Sequence, residues 1–293
     1  MMFAATSPYE PTIKPVRAQR ASGTGRVSFK PGSMGTTGKT MLDGLYQQGC
    51  AKIRLPRVYG SNGAEAVLIN SSGGLTGGDD LNWDVSCGTG TAAVATTQAC
   101  EKIYKSNEGP AQVSTNLTVA DGARLDWLPQ ETILFDQSQL TRNLLVDLSG
   151  TARFLAVESV LLGRLAMGEK VHSVGFSDNW RIRRDGQLLH ADTLTLNGNV
   201  TGFGANAAVL SSHSSFSSLC YIGPEDTESL ATLADGARQC IARQPDCHGG
   251  VSAFNGKLLV RLSAPYGLQL RAALIPLIQH LRAGEPLPRV WTT

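Results

Sequence analysis

The residues whose type and spacing point most directly to chemistry are two aspartates at the end of a glycine-rich run. The run reads SSGGLTGGDDL from residue 71 to residue 81. Its glycines and aspartates are Gly73, Gly74, Gly77, Gly78, Asp79 and Asp80. Such a density of glycine indicates positive φ angles or a very close approach of another backbone. Two carboxylates after this run could contact a cation or a partner's basic group, but a tight hairpin with a solvated acidic tip has the same pattern.

Other motifs for catalysis or metal binding are weak. Gly38-Lys39-Thr40 resembles the end of a phosphate-binding loop, but the required glycine five positions earlier is Ser33. The chain has no G-x-S-x-G nucleophile elbow and no HExxH spacing. Cys240, Cys247 and His248 come closest to a soft-metal cluster, yet Cys240 falls on the apolar face of an expected helix. We therefore expect no tight metal site and no tightly bound cofactor.

Composition excludes several classes of protein. The chain has 293 residues, a net charge of +2, 42% hydrophobic residues and 17% charged residues. A disordered chain would carry more charge, and a nucleic-acid binder would show a large positive excess or basic clusters. The six cysteines form no CxxC pair, and no apolar run approaches the roughly 18 residues of a membrane span. These features predict a soluble, cytoplasmic protein with reduced thiols and without nucleic-acid or membrane partners.

Alternating apolar and polar residues predict a body made of many strands. Leu81, Trp83, Val85 and Cys87 alternate with polar residues, and residues 112–119 and 144–148 repeat the pattern. Asp185-Gly186 and Asn255-Gly256 each separate two apolar runs, as in two-residue hairpin turns. Because no helical pattern interrupts the strands before residue 222, we expect a mainly β fold with a many-stranded, antiparallel, layered body.

Two helices are predicted near the C-terminus. Leu230, Leu233, Ala234 and Ala237 recur at helical spacing, and Leu270, Leu274 and Leu277 line a second helical face around Pro276. A strand hairpin lies between these two segments. The expected organisation is a loosely ordered leader over residues 1–24, a β-rich body over 25–222, and an α/β portion over 223–293 that packs on the body.

Four segments together carry a family resemblance. They read LINSSGGLTGGDDL, TTQACEKIYKS, LDWLPQETILFDQ and AVESVLLGRLAMGE, with LYQQGCAKIRLPR upstream and LPRVWTT at the end. Their order and spacing closely resemble the urease accessory protein UreD family, called UreH in some organisms. The resemblance covers nearly the whole chain from about Arg26. Departures include Ser72 in place of a common proline and RLPRVY in place of an Arg-Pro-Phe-Tyr-Pro stretch.

The resemblance implies a chaperone in metallocentre assembly rather than an enzyme. Members of this family bind UreF, which holds the GTPase UreG, and the protein complex docks on apo-urease to assist nickel insertion. An internal passage is proposed to conduct nickel, so that nickel would be bound only transiently. The fold implied is a β-rich body with two helices, in agreement with the pattern of strands and helices described above.

The resemblance and the chemistry of nickel together nominate carboxylates as passage residues. Ni²⁺ stands high in the Irving–Williams order, so several His or Cys ligands would hold it too long, whereas oxygen ligands exchange readily. The candidates by motif position are Asp79, Asp80, Glu101, Glu158 and Asp192, with Glu131 and Asp136 as further candidates. Asp192 stands where family members usually carry a glutamate. Each could instead be a surface carboxylate or an ion-pair partner.

Two other functions remain open at this point. A β-rich hydrolase would use two of these acids, with carboxyl groups about 5–9 Å apart in an open cleft. A binding module without any ion passage would use the same fold as a passive surface for partners.

Overall fold

The computed structural model describes residues 19–33, 38–58, 61–164, 168–206 and 209–292. Most of the expected leader over residues 1–24 therefore lies outside the described residues. The first strand begins at Ser22.

Strands dominate the described part of the chain. They are β1 (Ser22–Pro31), β2 (Thr40–Gly49), β3 (Ala51–Arg54), β4 (Ala64–Asn70), β5 (Asp80–Cys87), β6 (Ala92–Thr97), β7 (Glu101–Ile103), β8 (Ala111–Val119), β9 (Arg124–Leu128), β10 (Thr132–Leu134), β11 (Ser138–Leu148), β12 (Arg153–Leu162), β13 (Ser173–Arg184), β14 (Gln187–Asn199), β15 (Ser215–Ile222), β16 (His248–Phe254) and β17 (Lys257–Ala264). The helices are α1 (Val200–Gly204), α2 (Thr227–Ala242) and α3 (Gly267–Leu281), and a 3-10 turn covers Arg289–Trp291.

The strands form two sheets. The seven-stranded sheet has the order β14-β13-β11-β8-β5-β1-β2. The ten-stranded sheet has the order β16-β17-β15-β12-β9-β6-β4-β3, with β10 and β7 attached beside β12. The chain passes repeatedly from one sheet to the other, so that the body is a flattened coil with a core between its two walls.

The expectation of an antiparallel body is corrected by the strand pairing, although the mainly β class with two longer helices is confirmed. The central neighbours β5, β8, β11 and β13 pair in parallel, as do β4, β6, β9 and β12. Parallel pairing follows from the coil. After a strand in one sheet the chain forms a strand in the other sheet, and it then returns to the first sheet in the original direction. Antiparallel pairs occur at the ends of both sheets, for example β13 with β14.

The two predicted hairpin turns are present. Asp185 and Gly186 have φ angles of 50° and 79°, and they connect β13 to β14. Asn255 and Gly256 have φ angles of 47° and 68°, and they connect β16 to β17. Both turns need two consecutive residues with positive φ, which Asp-Gly and Asn-Gly adopt at low cost.

The two predicted helices pack on the outer face of the ten-stranded sheet. Asp226 caps α2 by accepting a hydrogen bond from the Ser229 backbone N–H at 2.8 Å. Pro276 lies inside α3, whose buried face nevertheless continues to Leu281. A second hydrophobic core fills the space between these helices and the sheet. None of the helices in the described ranges is long and apolar enough to cross a membrane.

Candidate functional site

The most distinctive polar feature is an ion cluster buried between the two sheets. Arg142 on β11 and Asp178 on β13 come from the seven-stranded sheet, and Glu158 on β12 comes from the ten-stranded sheet. Along its strand, each lies on the same face as hydrophobic residues of the core between the sheets. The three residues are only 5–6% exposed. We call Arg142, Glu158 and Asp178 the buried ion cluster.

One guanidinium holds both carboxylates of this cluster. Arg142 donates from Nε to Asp178 Oδ1 at 3.0 Å and from Nη2 to Oδ2 at 2.8 Å, which is a bidentate pair. Its Nη1 donates to Glu158 Oε2 at 2.5 Å and to Thr132 Oγ1 at 3.1 Å. The cluster therefore connects the two sheets through a single side chain.

Two indoles complete the hydrogen bonding of the carboxylates. Trp127 Nε1 donates to Glu158 Oε1 at 2.8 Å, and Trp180 Nε1 donates to Asp178 Oδ2 at 3.1 Å. All four carboxylate oxygens thus accept at least one hydrogen bond, as buried polar atoms require. These hydrogen bonds fix the orientation of each carboxyl group.

Charge in the cluster is unbalanced. Two carboxylates share one guanidinium, so the cluster has a net charge of −1 when both acids are ionised. Burial raises the pKa of Glu158 to about 7, although Arg142 opposes that rise. Burial lowers the pKa of Arg142, but Asp178 and Glu158 raise it more, so that its pKa lies above the ordinary value. Burial thus favours the protonated form of Glu158, whereas Arg142 favours its ionised form.

Glu101 is a second interior carboxylate. It lies on β7 in register with Thr132, on the same face as the core residue Ile103. Its Oε1 accepts a hydrogen bond from Asn70 Nδ2 at 3.0 Å, and no described Lys or Arg forms an ion pair with it. Burial raises the pKa of Glu101 to about 7, although Asn70 opposes the rise. The space between the sheets therefore contains more carboxylates than compensating cations.

We predict that Glu101 makes the fold less stable as pH rises. Its pKa in the folded state is above the unfolded value of 4.5. The folded chain therefore binds the proton more tightly, and stability falls as pH increases from about 4.5 to about 7. Glu101→Gln should reduce this decrease in stability, as measured by urea midpoints at pH 5.5 and pH 8. A variant with the same pH dependence as the wild type would contradict this assignment. Exposed Glu228→Gln on α2 serves as the control.

Glu131 faces the helices rather than the space between the sheets. Its Oε1 accepts from Arg271 Nη1 on α3 at 3.1 Å, and the Cys100 thiol lies 3.4 Å from Oε2. Arg271 also donates to the Val290 carbonyl at 2.7 Å and stacks over the Trp291 ring. These contacts give Glu131 a role in attaching α3 and the C-terminal turn to the sheet.

The glycine-rich run places its two aspartates in different environments. Asp79 is buried and accepts hydrogen bonds from the backbone N–H groups of Ala21 and Thr76, both at 2.8 Å. Asp80 is exposed and accepts only from Asn82. Asp79 thus ties the run to the start of β1, whereas Asp80 faces solvent.

Both expected reasons for the glycines are found in this run. Gly73, Gly74 and Gly78 have positive φ angles of 82°, 144° and 83°. Gly77 has no such angle, but a Cβ there would overlap Ser106 and the Gly109 carbonyl. The run is therefore a closely packed connection between β4 and β5.

The last two candidates contact neighbouring groups near the surface. Asp136 Oδ1 accepts from the backbone N–H groups of His172 and Ser173; burial raises its pKa, but these bonds outweigh that effect and leave the pKa below its ordinary value. Asp192 forms an ion pair with Arg261. In the described ranges, no group of three or more His, Cys, Asp or Glu side chains is arranged to hold a metal ion.

Comparison with known proteins gives the family. The model of the UreD urease accessory protein family matches residues 22–292. The chain belongs to the UreD family. A urease accessory protein UreD from Agrobacterium fabrum is 50% identical over 282 residues, which are 96% of this chain and 95% of the relative. UreD proteins from Rhizobium johnstonii and a Chelativorans species are 50% and 47% identical over 278 residues each, covering 94% and 95% of this chain and 96% of each relative. The resemblance seen in the sequence is confirmed.

The UreD match extends from β1 to the final 3-10 turn, and so it contains the whole buried ion cluster. Sequence reasoning nominated Glu158 but missed Arg142 and Asp178. A usable signal was present, because Arg142 occupies an inward position between Leu140 and Leu144 in an alternating strand. A charged residue in phase with buried apolar residues requires a buried partner.

Proposed function

We propose that this protein is a non-catalytic scaffold for urease maturation. It bridges UreF, and through UreF the GTPase UreG, to apo-urease in the cytoplasm. It also assists the delivery of nickel, which is cargo rather than a resident cofactor. Membership of the UreD family supports the role in urease maturation.

The observation that carries the passage part of this proposal is the excess of carboxylates over cations on the inward strand faces. Glu158 and Asp178 share the guanidinium of Arg142, and the half-buried Glu101 lies on the same strand face as the core residue Ile103. A cation moving along oxygen ligands must be attracted and then released. Arg142 compensates part of the negative charge, which keeps the attraction weak.

The surroundings of the acids give no support to the hydrolase alternative. A hydrolase of this kind needs two carboxyl groups that face substrate in an open cleft. Glu158 and Asp178 are instead about 95% buried and are held by Arg142, Trp127 and Trp180. Substrate could not reach them without separation of the sheets.

The scaffold role is tested by omitting this protein from cells that express apo-urease, UreF and UreG and contain nickel. We expect very little active urease without it, and recovery when it is supplied. Pull-down of the full chain should retain UreF and apo-urease, and should retain UreG only when UreF is present. Full urease activation in the absence of this protein would contradict the proposal.

A further inference from the structure

Two histidines that are distant in sequence lie side by side at one end of the ten-stranded sheet. His213 precedes β15, and His248 is the first residue of β16. Their ring centroids are 4.6 Å apart, with 48° between the ring planes. Neither ring belongs to the buried ion cluster, and neither forms an ion pair with a described carboxylate. Two adjacent imidazoles without an acidic partner are the arrangement of a metal-binding pair rather than of a salt bridge.

The ring separation suits two ligands of one metal ion. Metal–nitrogen bonds are about 2.0–2.1 Å, and a ring centroid lies about 1.1 Å beyond the bonded nitrogen. Two imidazoles on neighbouring positions of an octahedral or tetrahedral ion therefore have centroids about 4.5–5.2 Å apart. The observed 4.6 Å falls within this interval. The separation of the two rings is therefore compatible with both binding one metal ion.

Ser263 holds the ring of His213 and lies opposite His248 in the sheet. The register of β16 and β17 places His248 directly opposite Ser263. The Ser263 hydroxyl is 3.0 Å from Nδ1 of His213. This hydrogen bond occupies Nδ1 and leaves Nε2 of His213 for a ligand. Histidines that bind metals usually have their second ring nitrogen held in this way by a neighbouring polar group.

The backbone before His213 is also fixed. Ser211 and Ser212 have φ angles of 51° and 66°, which residues other than glycine rarely adopt. On the other side, the Ser214 hydroxyl donates to the Pro265 carbonyl at 2.5 Å at the end of β17. Consecutive residues in an unfavourable conformation persist where the surroundings determine it, and such positions are common at ligand sites.

A pocket of about 520 Å³ lies beside the pair, and its lining includes His248, Ser263 and Arg261. The charge of Arg261 is compensated by Asp192. The pocket leaves room beside His248 for water molecules in other coordination positions.

We propose that His213 and His248 form a two-imidazole site for a late first-row divalent cation such as Ni²⁺ or Zn²⁺, with Ser263 as a positioning residue. Imidazole prefers these ions to hard cations such as Mg²⁺. Two protein ligands make the site weak and rapidly exchanging. The inference rests on the geometry of the pair, and it does not depend on the proposed role in urease maturation.

The site is tested by calorimetric titration of the full chain with NiCl2, ZnCl2 and MgCl2. We expect the wild type to bind Ni²⁺ and Zn²⁺ at one more site than either His213→Gln or His248→Gln, and not to bind Mg²⁺ there. Ser263→Ala should weaken this site about tenfold. His172→Gln, at another exposed histidine, is the matched control and should titrate like the wild type.

Ring NMR signals give an independent readout on the folded wild type. Substoichiometric Ni²⁺ should broaden the ring signals of His213 and His248 before those of His172 and His280. Equal stoichiometry and affinity in the wild type and in both histidine variants would overturn the proposal. Uniform broadening of all histidine signals would also overturn it. Urea midpoints of the variants within experimental error of the wild type would exclude unfolding as the cause of lost binding.

Discussion

Arg142→Met is expected to destabilise the protein by about 3–5 kcal/mol, because it leaves two buried carboxylates without their cation. Methionine fills most of the volume but supplies none of the hydrogen bonds that Arg142 donates to Glu158, Asp178 and Thr132. The free energy of unfolding is measured from urea denaturation followed by tryptophan fluorescence. At this magnitude a single substitution removes a large share of the stability of an ordinary domain.

The triple variant Arg142→Met, Glu158→Gln, Asp178→Asn separates the cost of the unpaired charges from the loss of contacts. It should recover part of the lost stability, because no ionised group is then left buried without a partner. Arg183→Met, at an exposed position on β13, is the matched control and should change stability by about 0.5 kcal/mol or less. A loss of less than about 1 kcal/mol for Arg142→Met would show that the cluster is not the buried charge centre described above.

Glu158→Gln is expected to remove most of the nickel loading of urease while leaving the scaffold intact. The amide keeps the size of the side chain, and its one oxygen can accept the hydrogen bond from either Arg142 or Trp127, whereas its NH2 group cannot accept the other. Arg142 also keeps its bidentate pair with Asp178, so the variant should fold and bind its partners. What disappears is the exchangeable negative charge on the proposed route of the ion. The measurements are the nickel content and the specific activity of urease matured with each variant.

Asp147→Asn, on an exposed position of β11, is the control for a change of charge outside the interior. It should support nickel loading as the wild type does. Normal loading with Glu158→Gln would contradict the passage through this carboxylate. In that case intact partner binding would still be consistent with a scaffold that contains no conduit.

Local sequence signals predicted the parts of the fold that depend on neighbouring residues. The hairpin at Asp185-Gly186 follows from the positive φ angles that these residues tolerate. Helix α2 follows from apolar residues at helical spacing. The positive φ angles and close packing of the glycine run were predicted for the same reason, because both are local requirements. The tight hairpin with a solvated acidic tip was wrong, because β4 and β5 lie in different sheets and Asp79 is buried.

Strand direction could not be predicted in the same way. A period of two residues is the same for parallel and antiparallel strands, so the alternation around Leu81 identifies β5 but not its neighbours. The pairing of β5 with β8 depends on β6 and β7 crossing to the other sheet. That crossing is determined by packing across the whole body, so the sequence of a single segment does not predict it.

The candidate carboxylates also differ in how well the sequence predicted their surroundings. The resemblance located Glu158 and Glu101 by motif, and both face the interior between the sheets. Asp192 and Asp136 have motif positions of the same kind but contact Arg261 and backbone N–H groups near the surface. Motif position alone did not distinguish the inward-facing carboxylates from those near the surface, because that difference depends on which strand face each side chain occupies.

The outer face of the ten-stranded sheet is covered only by the last segments of the chain. Helices α2 and α3 supply the hydrophobic cover, and Trp291 closes it by donating from Nε1 to the Leu128 carbonyl at 3.0 Å. During synthesis the ribosome releases β9 and β12 well before these residues emerge. The nascent chain therefore exposes apolar surface on this face until α2, α3 and Trp291 have been synthesised, and such exposed surface makes a folding intermediate prone to aggregation.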